Sequence, residues 1–138
     1  MHMKEDILSY QWFTQTIKHS DLFVSLLRES TDFALVTSPS FALSVFRLEP
    51  PSAKLFPLAR LNELNKILYG RISSRSDITL TQTDLNGTFC IRMAVGAELT
   101  SETHIRRAYD ILCQEAKVAL EEWGNRNLET QKKVPSQL

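Results

Sequence analysis

Apolar side chains recur every three or four residues in three long segments of the chain. The first covers residues 4–29 and contains neither glycine nor proline, and the others cover about residues 61–72 and 100–123. This spacing places apolar side chains on one face of a helix, so each segment predicts an amphipathic helix. Thr100 suits the N-cap of the third helix, and Gly124 suits its C-terminal cap.

Four shorter segments are typical of strands, because apolar and polar residues alternate in them or β-branched and aromatic residues dominate. They cover about residues 33–37, 41–48, 77–83 and 88–95. The last two are separated by Asn86-Gly87, a strong hairpin signal, since both residues tolerate a positive φ. The predicted order is therefore helix, strand, strand, helix, strand, strand, helix.

This order predicts an α+β fold, a two-layer sandwich with three helices on one face of a four-stranded, mainly antiparallel sheet. We expect the domain to occupy residues 1–124 and the polar residues 125–138 to form a disordered tail. The apolar rows of the strands should face the helices. The other face of the sheet is then expected to carry Ala42, Ser44, Phe46, Thr79, Thr81, Cys90, Arg92 and Ala94.

Arg92 stands in the middle of the last predicted strand, close to the apolar residues Phe89, Ile91 and Met93. Successive side chains of a strand point to opposite faces, so Arg92 lies opposite this apolar row. A charge at such a position costs free energy unless this face of the sheet is exposed to water, the charge has an ion-pair partner, or the face binds a ligand. Arg92 is therefore either a binding residue or a surface residue paired with an acidic neighbour.

Two further residues are weak candidates for catalysis. Cys90 is expected on the same face as Arg92, and His104 lies in the first turn of the last predicted helix. A helix N-terminus lowers the pKa of a histidine, which suits acid–base work near neutral pH. The more ordinary interpretation is that Cys90 is a small residue on a water-exposed strand face and that His104 is an exposed helical residue.

Composition narrows the choice of partners. Sixteen basic and sixteen acidic residues cancel, so the basic excess of a nucleic-acid-binding protein is missing. No apolar run approaches the roughly 20 residues of a membrane-spanning helix, and no signal-peptide pattern is visible. These features predict a cytoplasmic protein with reduced cysteines, and with neither nucleic acid nor a membrane as partner. The two cysteines and three histidines show no metal-ligand spacing, so no metal site is expected.

Four stretches of the chain resemble, in the same order, motifs of the group II pyridoxal-phosphate-dependent amino-acid decarboxylases. This family includes the aromatic-amino-acid, tyrosine, histidine and glutamate decarboxylases. The likeness covers roughly residues 5–122 and is to the C-terminal small domain of these fold-type I enzymes, which implies the same α+β fold. The stretches are FALV with FALSVFR at 33–36 and 41–47, LNELNK at 61–66, GTFCIRMAVG at 87–96, and TSETHIRRAY at 100–109.

The resemblance also implies roles for individual residues. Arg92 matches the family arginine that reaches the active site, where its implied partner is a substrate carboxylate or the cofactor. A guanidinium suits a carboxylate because its donors form a planar fork. Thr81 and Ser44 are expected beside it, so Arg92, Thr81 and Ser44 form the candidate substrate-binding set.

The family cofactor is pyridoxal phosphate, which the large domain of these enzymes holds through a lysine in a His-Lys pair. None of the seven lysines here has that context, since only Lys18 adjoins a histidine, in the order Lys18-His19. No cofactor-binding residue is therefore assigned, and the chain alone is not expected to bind pyridoxal phosphate or to act as a decarboxylase.

Three functions remain open. The first is a stand-alone domain that binds or transforms an acidic small molecule in biosynthesis, with any catalysis independent of the cofactor. The second is the small-domain half of a split or truncated decarboxylase, which needs a large-domain partner chain. The third is a non-catalytic interaction module. The first and third predict a homo-oligomer, such as a homodimer, because Phe46 and part of the first helix would otherwise leave an apolar surface uncovered.

Overall fold

The chain alternates helices and strands in the predicted order. A computed structural model describes residues 2–37, 43–75, 80–94 and 101–133. Within these residues the order α-β-β-α-β-β-α and the antiparallel sheet confirm the predicted α+β fold. The elements are α1 (His2–Glu29), β1 (Phe33–Leu35), β2 (Leu43–Leu48), α2 (Leu58–Ser73), β3 (Thr81–Leu85), β4 (Thr88–Ala94) and α3 (Glu102–Lys133), with a short 3-10 helix at Pro51–Leu55.

The described strands form one sheet in the order β1-β2-β4-β3, and every neighbouring pair is antiparallel. The β3–β4 hairpin turns at Asn86 and Gly87, which have φ values of 54° and 86°. These positive values confirm the predicted turn. The side chain of Asp84 also supports it, because its Oδ1 accepts a hydrogen bond from the Gly87 amide at 2.8 Å.

The three helices pack on one face of this sheet. Phe46 of β2 lies at the centre, with its ring centroid 5.7 Å from that of Phe23 and 6.0 Å from that of Phe33, both edge to face. Such contacts add to the stabilisation from burying apolar surface. The buried helical residues of this core are Phe23 and Leu27 of α1, Leu61, Leu64, Leu68 and Ile72 of α2, and Ile105, Ala108, Ile111, Leu112, Ala116, Ala119 and Trp123 of α3.

The predicted orientation of β2 is wrong. Ser44 and Phe46 point into the core, with 3% and 0% of their surface exposed, although both were expected on the opposite face. The register decides this, because it pairs Phe46 with Ile91 and Val45 with Arg92, and directly paired residues share a face. Both rows of β2 are rich in apolar residues, so alternation alone does not say which row is buried. Ala42 and Thr79 lie outside the described residues.

The predicted end of α3 is also wrong. The helix continues to Lys133, so residues 125–133 are helical, where we expected a cap at Gly124 and a disordered tail. A glycine inside a helix costs only about 1 kcal/mol relative to alanine. An ion pair from Arg126 Nη2 to Glu122 Oε1 at 3.3 Å bridges the position. Residues 134–138 lie outside the described residues, and the domain limits at 1–124 stay a prediction.

Two asparagines of α2, one helical turn apart, bind the sheet where β2 and β4 stop pairing. That pairing ends at Phe46 and Ile91, and in the same register Leu48 would lie opposite Phe89 two positions further on. Asn65 Oδ1 accepts a hydrogen bond from the Leu48 amide at 2.6 Å, and its Nδ2 donates to the Leu48 carbonyl at 3.0 Å. Asn62 Oδ1 accepts from the Phe89 amide at 2.9 Å, and its Nδ2 donates to the Gly87 carbonyl at 2.8 Å. We call this arrangement the asparagine clasp.

The asparagine clasp satisfies main-chain groups that the sheet leaves without a strand partner. Asn65 is 0% exposed, and a buried amide or carbonyl without a hydrogen bond costs about 1–3 kcal/mol. A side-chain amide offers a donor and an acceptor, as a strand residue does. The clasp therefore fixes both the position and the orientation of α2 on the sheet.

Replacing Asn65 with leucine should destabilise the domain strongly. Asn65→Leu keeps the branched shape of the side chain but leaves the Leu48 amide and carbonyl without partners, so we expect a loss of roughly 2–5 kcal/mol in the free energy of unfolding. Asn62→Ala is the matched control, and its more exposed bonds should cost about 1 kcal/mol. Urea denaturation measures both, and equal losses in the two variants would contradict this role for Asn65.

Candidate functional site

The sheet face away from the helices carries Arg92 in the middle of β4. The register places Thr81 of β3 on one side of Arg92 and Val45 of β2 on the other. Thr81 Oγ1 lies 3.5 Å from the Arg92 carbonyl, to which it donates a weak hydrogen bond. We call this surface, which also carries Cys90 and Ala94 by alternation along β4, the bare face.

The Arg92 guanidinium is exposed and forms no ion pair with any residue that the structure describes. The acidic neighbour that would make Arg92 an ordinary paired surface residue is therefore missing from the described part of the chain. Because its donors are not engaged there, they are available to a carboxylate or phosphate from outside.

Ser44 does not join Arg92 and Thr81, although the sequence placed the three together. Its register partner is Met93, whose side chain is buried, so Ser44 lies on the helix side of the sheet. The neighbour of Arg92 on β2 is the apolar Val45. The described geometry thus brings Arg92 and Thr81 together and leaves Ser44 apart.

Cys90 shares the bare face but is 0% exposed. Its Sγ lies 3.4 Å from the Thr88 carbonyl, to which the thiol donates. Burial raises the pKa of the Cys90 thiol, Arg47 lowers it and Asp84 raises it, with a net upward shift. Because only the thiolate is a good nucleophile, a buried neutral thiol is poorly suited to covalent catalysis.

His104 lies in the helix layer, on the other side of the sheet from Arg92. Its Nδ1 is 2.8 Å from Ser101 Oγ, and its amide donates to the same oxygen at 3.2 Å. Ser101 is therefore the N-cap of α3, while Thr100, which we expected in that role, lies outside the described residues. His104 is exposed, and its described contacts serve the cap.

Arg47 was not predicted as a site residue, but it lies two residues after Val45 and so shares the bare face. Its Nε and Nη2 each lie 3.1 Å from Glu49 Oε2, forming an ion pair. Its Nη1 is buried and has no hydrogen-bond partner among the described residues. Only the correct orientation of β2 could have predicted that Arg47 lies on the bare face. With Val45 on that face, alternation along β2 places Arg47 beside Cys90.

Arg92 stands on an open surface. Three clefts on the described surface, of about 460, 270 and 380 Å³, are lined by other residues, and none of the three includes Arg92 or Thr81. Small-molecule sites are usually concave and enclose most of the ligand. A site around Arg92 therefore needs a second surface to enclose its ligand.

Comparison with known proteins identifies the family of the chain. No protein-family model matches the chain. It is 33% identical over 91 residues to an aromatic-L-amino-acid decarboxylase of Catharanthus roseus, covering 66% of this chain and 17% of that protein. It is 34% identical over 118 residues to tyrosine decarboxylase 2 of Narcissus pseudonarcissus, covering 84% and 22%.

The solved structure of a decarboxylase also matches the chain. The fold matches that of Catharanthus roseus tryptophan decarboxylase in complex with L-tryptophan, with a TM-score of 0.70 and 28% identity over 79% of this chain and 22% of that chain. The chain is thus a counterpart of a small α+β domain in decarboxylase structures. It belongs to the group II pyridoxal-phosphate-dependent amino-acid decarboxylase family and spans about a fifth of the length of these relatives (17% and 22%).

The three lysines whose side chains the structure describes do not fit a covalent pyridoxal phosphate site. Such a lysine needs a buried amine held in a fixed geometry. Lys18, Lys66 and Lys117, whose side chains the structure describes, are all exposed. That this chain alone binds no pyridoxal phosphate stays a prediction. No helix in the described parts of the chain is both long and apolar enough to cross a membrane.

The Cys90 thiol should react slowly in the folded protein. In a Cys113→Ser variant, we expect Ellman's reagent at neutral pH to label Cys90 at least about tenfold more slowly than a free cysteine peptide, because burial blocks access and disfavours the thiolate. The same variant in urea should react as the peptide does. Fast labelling without denaturant would instead make Cys90 an accessible nucleophile.

Proposed function

We propose that this chain serves as the small domain of a pyridoxal-phosphate-dependent enzyme that decarboxylates aromatic amino acids. The cofactor-holding large domain would come from a separate chain or from another part of the same protein. The observation that carries this proposal is Arg92, an exposed guanidinium without a described ion-pair partner, which lines none of the three clefts on the described surface. A docked large domain would cover this face and complete the site.

In this proposal Arg92 binds a carboxylate at the edge of the completed site. Its planar fork can donate two parallel hydrogen bonds, which position an amino-acid substrate as well as hold it. The neighbours of Arg92 on the sheet include Val45 and Cys90, which are both buried, so a docked partner that covers Arg92 would exclude water around the ion pair and strengthen it. When bound in the large domain, pyridoxal phosphate would supply the electron sink for decarboxylation.

The aromatic substrate class is proposed from the relatives. The matched proteins include tryptophan decarboxylase 2 of Oryza sativa subsp. japonica, 37% identical over 98 residues, and the tyrosine decarboxylase of Narcissus pseudonarcissus. The side-chain pocket for an aromatic ring would lie mainly on the large domain, because none of the three clefts on the described surface includes Arg92.

A second candidate function is a repurposed stand-alone domain that binds a small acidic molecule without the cofactor. The lack of an ion-pair partner for Arg92 among the described residues favours it, since a free carboxylate could bind the exposed guanidinium directly. The open geometry weighs against it, because a ligand held by one exposed arginine is screened by water and salt. A third possibility is an interaction module. Its partner would be a second copy of the chain, whereas the first two functions need a large domain or a small acidic molecule.

The binding partner of the chain distinguishes these three candidate functions. A copy tagged at its native locus and purified at physiological salt should carry stoichiometric pyridoxal phosphate, in a complex or polypeptide larger than the 15.8 kDa of this sequence. Intact mass and cofactor content measure this. Recovery of the chain alone, or only as a homo-oligomer without cofactor, would contradict the small-domain proposal.

Arg92→Ala in that purified enzyme should lower kcat/KM for an aromatic L-amino acid about 10- to 100-fold, because a charge-assisted contact to the substrate is lost. The melting temperature should hardly change, since Arg92 forms no described ion pair. Arg92→Lys should recover part of the activity. Arg28→Ala, at an exposed arginine of α1, is the matched control. A variant that loses stability and activity together would indicate a structural role for Arg92.

A further inference from the structure

A second charged site lies in the helix layer, away from Arg92. The end of α2 and the middle of α3 enclose a cleft of about 460 Å³, a volume within the range of small-molecule sites. Among the residues that the structure describes, its charged lining consists of four cationic side chains and two carboxylates, a formal net charge of +2. We call it the cationic cleft, and these side chains are Lys66, Arg71, Arg75, Arg126, Glu115 and Glu122.

The two carboxylates of the cationic cleft are already shared among its arginines. Glu115 Oε2 accepts a hydrogen bond from Arg71 Nε at 2.8 Å, and Glu115 Oε1 accepts one from Arg75 Nη1 at 3.2 Å. Glu122 Oε1 accepts from Arg126 Nη2 at 3.3 Å. Each glutamate thus holds arginines in place, and the network positions their guanidinium groups around the cleft.

Arg71 keeps donors that these glutamates do not use. Only its Nε bonds to Glu115, while its Nη1 lies 4.0 Å from Glu122 Oε2, beyond hydrogen-bond distance. A guanidinium has five N–H donors, and the Arg71 side chain is 37% exposed. The remaining donors of Arg71 are therefore open to a ligand in the cationic cleft.

Gly70 keeps one wall of the cationic cleft open. It lies inside α2, where a glycine costs about 1 kcal/mol relative to alanine. A Cβ built at Gly70 would meet nothing within 4 Å, and its φ is not positive. Neither packing nor backbone conformation requires a glycine there, and its absent side chain leaves room for a ligand beside Arg71.

We propose that the cationic cleft binds a small anion with at least two negative charges, such as a phosphate ester or a dicarboxylate. The excess of two positive charges sets the charge of the ligand, and arginine forks match phosphate and carboxylate oxygens. The site uses no residue of the bare face, so it is independent of the proposed enzymatic role.

Titration of the full chain with inorganic pyrophosphate tests the proposal. Amide NMR spectra should show saturable shifts at Gly70, Ser74 and their neighbours on α2. The apparent Kd should rise with ionic strength, since part of the attraction is screened. Shifts that do not saturate, or that centre on other residues, would overturn the proposal.

Two variants that change the charge of the cationic cleft in opposite directions make the test specific. Arg75→Gln should raise the Kd for pyrophosphate about tenfold or more, because one charge-assisted contact is lost. Glu122→Gln keeps the side-chain shape, removes a competing carboxylate and should lower the Kd. Arg28→Gln, outside the cleft, should leave it unchanged. If all three variants, each shown by its melting temperature to be folded, bind pyrophosphate equally, the cationic cleft is not the site.

Discussion

The asparagine clasp is the contact on which the rest of the fold depends. Where β2 and β4 stop pairing, the side-chain amides of Asn62 and Asn65 bind the main chain of Leu48, Phe89 and Gly87. These bonds connect one helix to both central strands, so α2 sits at a fixed position over the sheet. Helix α3 then packs against α2, and α1 packs against α3 and the same face of the sheet, so that no described helix covers the second face.

This asymmetry explains the character of the bare face. A sheet covered on one side by helices has an opposite side that is either wet or covered by another structure. Here it carries buried Val45 and Cys90, the Arg47–Glu49 pair and Arg92, which has no ion-pair partner among the described residues. Membership of the decarboxylase family and the short span of the chain relative to the whole enzymes agree with a surface that meets a second domain.

Much of the fold follows from sequence, and its limits have physical causes. The helices and the β3–β4 hairpin are predictable because their periodicity is clear and Asn86-Gly87 suits only a tight turn. The orientation of β2 is not predictable from sequence, since Leu43 and Val45 on one face are as apolar as Phe46 and Leu48 on the other. Only the register with β4 decides which of the two faces is buried. Ser44 was misplaced and Arg47 missed for this one reason. The cationic cleft depends on how α2 packs against α3, which local patterns do not encode.

Site-specific photo-cross-linking tests most directly whether the bare face meets the large domain. A photoreactive residue at exposed Ala94 of the bare face is compared in cells with one at Val118, 38% exposed on α3. The account predicts that Ala94 cross-links to a region that binds pyridoxal phosphate and that Val118 does not. Equal cross-linking from both positions, or none from Ala94 in a folded chain, would contradict it.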